Sequence, residues 1–530
     1  MLHPHRCTSA EECKCRSNLQ VLNAGRKINW FLILAVLGTP TYLYLNLFSF
    51  PNTPFLLGGD QVFFWTDAQR MLDGGRIYQD FFQFTPPGTD LFYLALFKLF
   101  GANLWVTNAA VLVLGVSLCL LCFVLASEIM GRRPALLATV LFLVLINGKL
   151  LSGTHHLFSV LAIMGAVNIC VRKITSARIL VAGGLLGLAS FFTQTHGTVA
   201  TLAFATFLIW RLSRTKGTWA DLLRSQALLL LGYAIALLLL NAHFIATVGL
   251  KQLWYFQVTY VRQYVVHSPL NASMGLPEPL AWRTLPKLSQ YLFVYILLPI
   301  IYPVALWRCW RERHNLGFPW ERVALLSTVG LFLFVEVAFR PNWLRFYSVS
   351  MAGIILLVWV FDQACKIRPY GVVLMWVAIS GLAIQQTRSG YVHRPLSVHL
   401  PGGEVATNPQ AYEKLHWVML HTKPGQFFFE ADWPGMYLPL KLRNPVFLDI
   451  VLPEEGTRPE DITSAIQQLE GKRVEYVLWA ARLDAVDEIL APRKDHVAPL
   501  RAYLHTKYTS VHVFPDGEAV LQRNEFTSHP

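Results

Sequence analysis

Residues 58–90 read GGDQVFFWTDAQRMLDGGRIYQDFFQFTPPGTD and carry five aspartates, Asp60, Asp67, Asp73, Asp80 and Asp90. The stretch follows the first long apolar run of the chain. Gly58-Gly59 breaks that run, and Asp60 stands where the N-cap of a new helix belongs. Phe64, Trp65, Ala68, Met71 and Leu72 recur at spacings of three and four, which predicts an amphipathic helix lying on the membrane surface. Asp60 and Asp67 share one face of that helix, about 10 Å apart along its axis. That is too far to share a proton, but each could hold a different part of a ligand. Asp73-Gly74-Gly75-Arg76-Ile77-Tyr78-Gln79-Asp80 is a turn, and Thr85-Pro86-Pro87-Gly88 is an extended return to the membrane. Two readings of the acids stand side by side: groups that cap a helix and face water, or groups that bind and react.

Outside this loop the chain is apolar. Of 530 residues 54% are hydrophobic and 15% charged, against about 25% charged in soluble domains. The mean hydropathy is +0.41. Apolar runs of roughly 20 residues, enough to cross a bilayer, fall at 29–49, 103–130, 134–148, 156–171, 179–194, 198–212, 222–248, 289–307, 323–339, 346–362 and 370–386. Residues 89–100 are also apolar and could extend the second run outward. The expectation is a polytopic α-helical membrane protein of about 11 transmembrane helices.

The net charge of +13 would suggest nucleic acid in a soluble protein. Here the basic residues sit in short loops and set topology, and no nucleic-acid-binding motif is present. With the N-terminus in the cytoplasm, Arg132 and Arg133, then Arg172, Lys173 and Arg178, then Arg211, Arg214, Lys216 and Arg224, then Arg308, Arg311, Arg313 and Arg322, and finally Lys366 and Arg368 all fall inside. The N-terminal tail, residues 1–28, lacks the form of a signal peptide, so the first span stays as an anchor. Its histidines and cysteines match no standard zinc spacing. The eight cysteines suggest no disulfide framework.

This orientation places the acidic loop (50–102), the Thr154-His155-His156 and Gln194-Thr195-His196 loops, the 249–288 loop and the Arg340–Tyr347 turn on one outer face. Residues 387–530 differ in character. Strands are expected at Gln426–Ala431, Glu475–Ala480, Thr509–Phe514 and Ala519–Gln522, and helices at Asn408–His421, Pro459–Glu470 and Pro499–Thr506. They describe a C-terminal extracytoplasmic α/β domain following a transmembrane domain over 29–386.

The first-loop Asp, the amphipathic helix, the Gly-Gly-x-x-Tyr-x-Asp turn and the Pro-Pro before the second span resemble the GT-C glycosyltransferases. These include protein O-mannosyltransferases, aminoarabinose transferase and the RgtA/B/C/D-like bacterial enzymes. Phe191–Gly197 (FFTQTHG) and Arg345-Phe346-Tyr347 continue the likeness. The resemblance implies an inverting hexosyl- or pentosyltransferase of the bacterial inner membrane. Its partners would be a polyprenyl-phosphate sugar donor, a glycan, lipid or protein acceptor, and membrane lipids, with no required cofactor. Asp60 falls where the family has its base. Many members carry a second acid next to it, and Gln61 departs from that pattern.

The chemistry agrees with the resemblance. An ionised carboxylate can take the proton of a hydroxyl acceptor as it attacks, and a leaving phosphate needs positive charge or donors. Arg345 is the first candidate for the phosphate, followed by Arg340, Tyr347 and Arg262, since the arginine fork suits bidentate phosphate contacts. Arg340 and Arg345 fit interfacial anchoring equally. Asp67, Tyr78, Asp80, His155, His156 and His196 are candidates for holding donor or acceptor. Three histidines on two loops are a thin basis for a metal site. Two other functions fit the same sequence. A transporter or lipid flippase would use Glu336, inside the ninth run, although that residue could pair with Arg340. A catalytically inactive accessory membrane protein would explain Gln61.

Overall fold

The computed structural model describes residues 30–215, 217–263, 292–312, 315, 318–339, 343–364, 369–452, 457–484 and 495–527. The N-terminal tail, the larger part of the 249–288 loop and Arg340 lie outside the described residues. Helix α1 (Trp30–Leu47) leads through a short hairpin, β1 (Phe48–Ser49) and β2 (Thr53–Pro54), to α2 (Gln61–Leu72) and α3 (Gly88–Phe100). Then come α4 (Leu104–Ile129), α5 (Arg132–Leu150), α6 (His155–Arg172), α7 (Ser176–Phe192), α8 (Gln194–Leu212) and α9 (Trp219–Thr247). The remaining long helices are α10 (Leu298–Arg311), α11 (Trp320–Ala338), α12 (Trp343–Val349), α13 (Met351–Ala364) and α14 (Pro369–His393).

Among the described residues, helices fall in each of the eleven apolar runs. Among the described residues five of them, α1, α4, α5, α6 and α9, are long and apolar enough to cross a membrane by length and composition. The chain is a multi-pass membrane protein. Residues 89–100 do not extend the second run. They form the separate helix α3, which Gly101 ends at φ +81° before α4 begins.

Small residues set the closest helix contact. A Cβ at Gly183 of α7 would lie 2.2 Å from the Leu229 carbonyl oxygen of α9, and one at Gly232 would lie 2.1 Å from that of Leu180. In an apolar medium such close backbone packing replaces the hydrophobic effect as the source of helix association. The helix ends differ chemically. At the ends expected in the cytoplasm, Glu128 pairs with Arg172 at 3.0 Å and Arg211 with Glu321 at 2.9 Å. At the opposite ends buried amides fix the loops. Asn108 donates to the Leu47 and Phe55 carbonyls at 2.7 and 2.9 Å, so the end of α1 and the start of the acidic loop are held by α4.

Beyond α14, an unanticipated hairpin, β3 (Leu396–Leu400) and β4 (Gly403–Thr407), docks on the hairpin after α1, with Leu56 N–H donating to the Ala406 carbonyl at 2.8 Å. After α15 (Pro409–His421) and β5 (Phe429–Glu430) come α16 (Pro459–Gly471), β6 (Tyr476–Trp479), α17 (Ala498–Lys507), β7 (Tyr508–Val513) and β8 (Ala519–Arg523). The sheet order is β5-β6-β8-β7, with β5 parallel to β6 and the other pairs antiparallel. Each expected strand and helix of this region has its counterpart here, within a few residues.

The acidic loop is built into this domain. Ile77, Tyr78, Phe81 and Phe82 share one apolar cluster with Phe429, Val446, Leu448, Val477 and Trp479. Phe82 N–H donates to the Phe447 carbonyl at 2.9 Å. Arg70 of α2 reaches Asp449 at 2.6 Å and the Val446 carbonyl at 2.8 Å. Asp449 is 4% exposed, and removing one partner of a buried pair is costly. Arg70→Met is therefore expected to destabilise the loop–domain joint by about 3 kcal/mol. Hydrogen exchange should show faster exchange at Phe82 and Phe447, with the α7–α9 amides unchanged.

Candidate active site

Gly59, at φ +78°, turns the chain so that Asp60 opens α2. Asp60 occupies the N-cap position, but its side chain makes no capping bond. Of the two readings the sequence allowed, the cap is not what the carboxylate does. Asp60 is half-buried. Burial pushes its carboxyl above the usual range, and the positive charge of Arg345 pulls the other way. A carboxylate that is partly desolvated, faces a cation and accepts no side-chain cap bond is available to a ligand.

Gln61, 2% exposed, explains the departure from the two-acid pattern. Its amide nitrogen donates to the Gly58 carbonyl at 2.9 Å, and its amide oxygen accepts from Gly153 N–H at 2.9 Å. The same nitrogen lies 3.5 Å from the Leu151 carbonyl oxygen. An ionised acid has no hydrogen to give either carbonyl. Gln61 thus fastens the start of α2 to the loop that carries the histidines.

Those histidines come together. The rings of His155 and His156 lie 4.0 Å apart between centroids, and His156 and His196 lie 5.0 Å apart. Phe64, one turn after Asp60, packs 5.3 Å from His155. Ser159 donates its one hydroxyl hydrogen to the His156 carbonyl at 2.8 Å. Nδ1 of His196 lies 2.9 Å from that hydroxyl oxygen. The other ring nitrogen faces Glu336 Oε2 at 3.3 Å. Both nitrogens of His196 thus have a polar neighbour within the protein. In contrast, Nδ1 of His155 and Nδ1 of His156 are buried and meet no hydrogen-bond partner among the described residues. Arg345, half-buried in α12, lies within electrostatic reach of Asp60, Glu336, His155 and His156.

One compact group therefore joins Asp60, His155, His156, His196, Glu336 and Arg345 from five separate segments of the chain. Glu336 belongs to this group and pairs with His196. Its expected alternative partner, Arg340, lies outside the described residues. Tyr347 is buried in α12, and its carbonyl accepts from the Ser350 hydroxyl at 2.7 Å. Arg262 is exposed beyond the 255–260 turns.

The other first-loop candidates lie elsewhere. Asp80 is bound to Arg76 at 3.1 Å, a surface pair that holds its carboxyl below the usual range. Tyr78 is buried, donating to the Thr85 carbonyl at 2.7 Å and accepting from Gln257 at 3.1 Å. Asp67, 1% exposed, accepts from Gln83 at 2.7 Å, and the same Gln83 amide nitrogen lies 3.3 Å from Asp90 Oδ1. Burial, then the charges of Asp449 and Asp90, push Asp67 well above the usual range, with Arg70 opposing. Burial lifts Asp90 to about 7. Sequence reasoning missed this network. Arg70, one turn beyond Asp67 on α2, was a legible sign, whereas Asp449 lies far along the chain with no local signal.

The network has a signed pH consequence. Asp67 and Asp90 bind protons more tightly folded than unfolded, so stability is full at low pH and declines as pH rises through their folded pKa values. The melting temperature of purified protein is expected to fall from pH 6 to pH 8. The slope would be up to about 1.4 kcal/mol per pH unit for each proton released. Asp90→Asn should flatten it, and an unchanged slope in that variant would refute the assignment.

No family model and no curated protein matches the chain. Solved structures do. ArnT from Cupriavidus metallidurans, bound to undecaprenyl phosphate, has a TM-score of 0.60 at 14% identity, covering 95% of this chain and 100% of its own. The apo form of ArnT gives 0.59 at 13% identity, covering 94% and 98%. AglB, the oligosaccharyltransferase of Archaeoglobus fulgidus, in complex with an inhibitory peptide and dolichol-phosphate, gives 0.51 at 14% identity, covering 95% and 75%. The chain has the fold of the GT-C membrane glycosyltransferases.

Proposed function

We propose that the chain transfers a hexosyl or pentosyl group from a polyprenyl-phosphate carrier to a hydroxyl of an acceptor on the outer face of the membrane. Asp60 takes the proton of that hydroxyl as its oxygen bonds to the anomeric carbon. The bond from that carbon to the phosphate oxygen breaks on the opposite side, the configuration inverts, and polyprenyl phosphate leaves. Arg345 holds the phosphate through its planar fork and offsets the charge that builds on it. His155 and His156, with unengaged ring nitrogens, contact the donor's phosphate or sugar, while His196 connects them to Glu336.

The observation that carries this reading is the state of Asp60. It sits at a helix start yet makes no cap, it is half-buried, and it lies within electrostatic reach of Arg345. The shared fold with ArnT, solved with undecaprenyl phosphate, and with AglB, solved with dolichol-phosphate, supports a lipid-phosphate donor. The carbonyl contacts of Gln61 give a structural role to the position where many members of the family carry a second acid. We place the protein in a bacterial inner membrane, with residues 1–28 in the cytoplasm, the transmembrane domain over 29–386 and residues 387–530 outside.

Transfer of radiolabelled sugar from a panel of polyprenyl-phosphate sugars tests the proposal. Asp60→Asn is expected to lower the rate at least about 100-fold while the fold is kept. Because burial raises the Asp60 carboxyl, the wild-type rate should fall as pH drops through a value above the ordinary carboxylate range. Full activity in Asp60→Asn would refute the base assignment.

A further inference from the structure

The part of the acidic loop that stands away from Asp60 has so far only a structural role, and the C-terminal domain has none in chemistry. A cleft of about 320 Å³ lies between them, in the size range of small-ligand pockets. Thr66, Arg70 and Asp73 of the acidic loop form one wall, and Phe427, Arg443 and Lys472 of the C-terminal domain form another. We propose that this cleft binds an acidic sugar of the acceptor glycan, one bearing a carboxylate or a phosphate. The identity of that sugar as part of an acceptor rests on the transfer reading above.

The charges facing the cleft do not balance. Arg70 is committed to Asp449 at 2.6 Å, and Asp80 to Arg76 at 3.1 Å. That leaves Arg443, Lys472 and Asp73. Arg443 lies 3.7 Å from Asp73, and both are about half exposed. Lys472 gives a hydrogen bond to the Pro445 carbonyl and meets no carboxylate among the described residues. Two cations thus face one carboxylate. Both sit over the ring of Phe427, Arg443 at 5.2 Å and Lys472 at 4.9 Å from its centroid. The ring holds them in place without neutralising them. Burial and the charges of Arg70 and Arg443 together draw the Lys472 amine downward, as a cation gathered among cations should be.

The cleft and Asp60 draw on the same helix. Thr66 and Asp73 lie on the helix that Asp60 opens, about 9 and 20 Å along its axis. The Asp73-Gly74-Gly75 turn closes this wall. A Cβ at Gly75 would lie 2.9 Å from the Arg70 carbonyl oxygen, so the turn packs directly beneath the cleft.

The test is equilibrium binding of radiolabelled methyl glucuronide and glucose 6-phosphate to the purified full chain in detergent, with glucose as the neutral control. Wild type is expected to bind at least one acidic sugar and not glucose, more weakly at high salt. Whichever binds more tightly identifies the acid. Lys472→Gln and Arg443→Gln should each weaken binding about 5-fold. Asp73→Asn should tighten it about 3-fold, since it removes the competing carboxylate. Acidic sugars binding no better than glucose, or affinities unchanged in all three variants, would overturn the proposal. Asp60→Asn should leave binding intact. Absence of transfer from every donor, beside intact binding of acidic sugars, would contradict the transferase reading and leave the cleft standing.

Discussion

The joint between the first outer loop and the C-terminal domain is the constraint on which the rest depends. Arg70 reaches from α2 into that domain to meet Asp449, and Phe81 and Phe82 lie in the domain's own apolar cluster. Three buried carboxyls share this joint with one arginine. Burial pushes the Asp67 and Asp90 carboxyls above the usual carboxylate range, so the joint favours keeping a proton among them. The helix so held is the one that presents Asp60. A domain distant in sequence therefore fixes the angle at which the site's acid meets the membrane helices.

The second anchor is at the other end of α2. Gln61 ties that end to the Leu151–Gly153 backbone, and Gly153 N–H answers its amide oxygen. His155 and His156 follow within a few residues, and His196, Glu336 and Arg345 arrive from three further segments. The candidate site is thus a meeting of loop ends and helix ends, with Gln61 tying two of them together. Reacting groups gain their geometry from rigid neighbours rather than from their own flexibility.

The membrane helices were legible because apolar runs of spanning length leave few alternatives. Strands and helices of the C-terminal region were legible from short β-branched runs and turn residues. The β3–β4 hairpin went unread although Leu396–Leu400 alternates apolar and polar residues ahead of Pro401-Gly402-Gly403, and its docking on Phe55 and Leu56 has no local signal. Within the site, the histidine pair and Arg345 stood out as polar groups at span ends. Asp67 looked like a ligand-binding acid because spacing placed it on the Asp60 face, yet its surroundings come from Gln83, Asp90 and Asp449. Glu336 looked like a midplane charge until its partner His196, from another helix, was known. Pairings across the sequence decide these roles, and no local pattern encodes them.

The most direct measurement is the structure of the purified protein with undecaprenyl phosphate bound. The account predicts the phosphate within hydrogen-bonding distance of Arg345, with the Asp60 carboxylate open toward the side where the sugar would stand. A phosphate seated away from Arg345, or an Asp60 carboxylate turned into a helix cap beside it, would contradict the account.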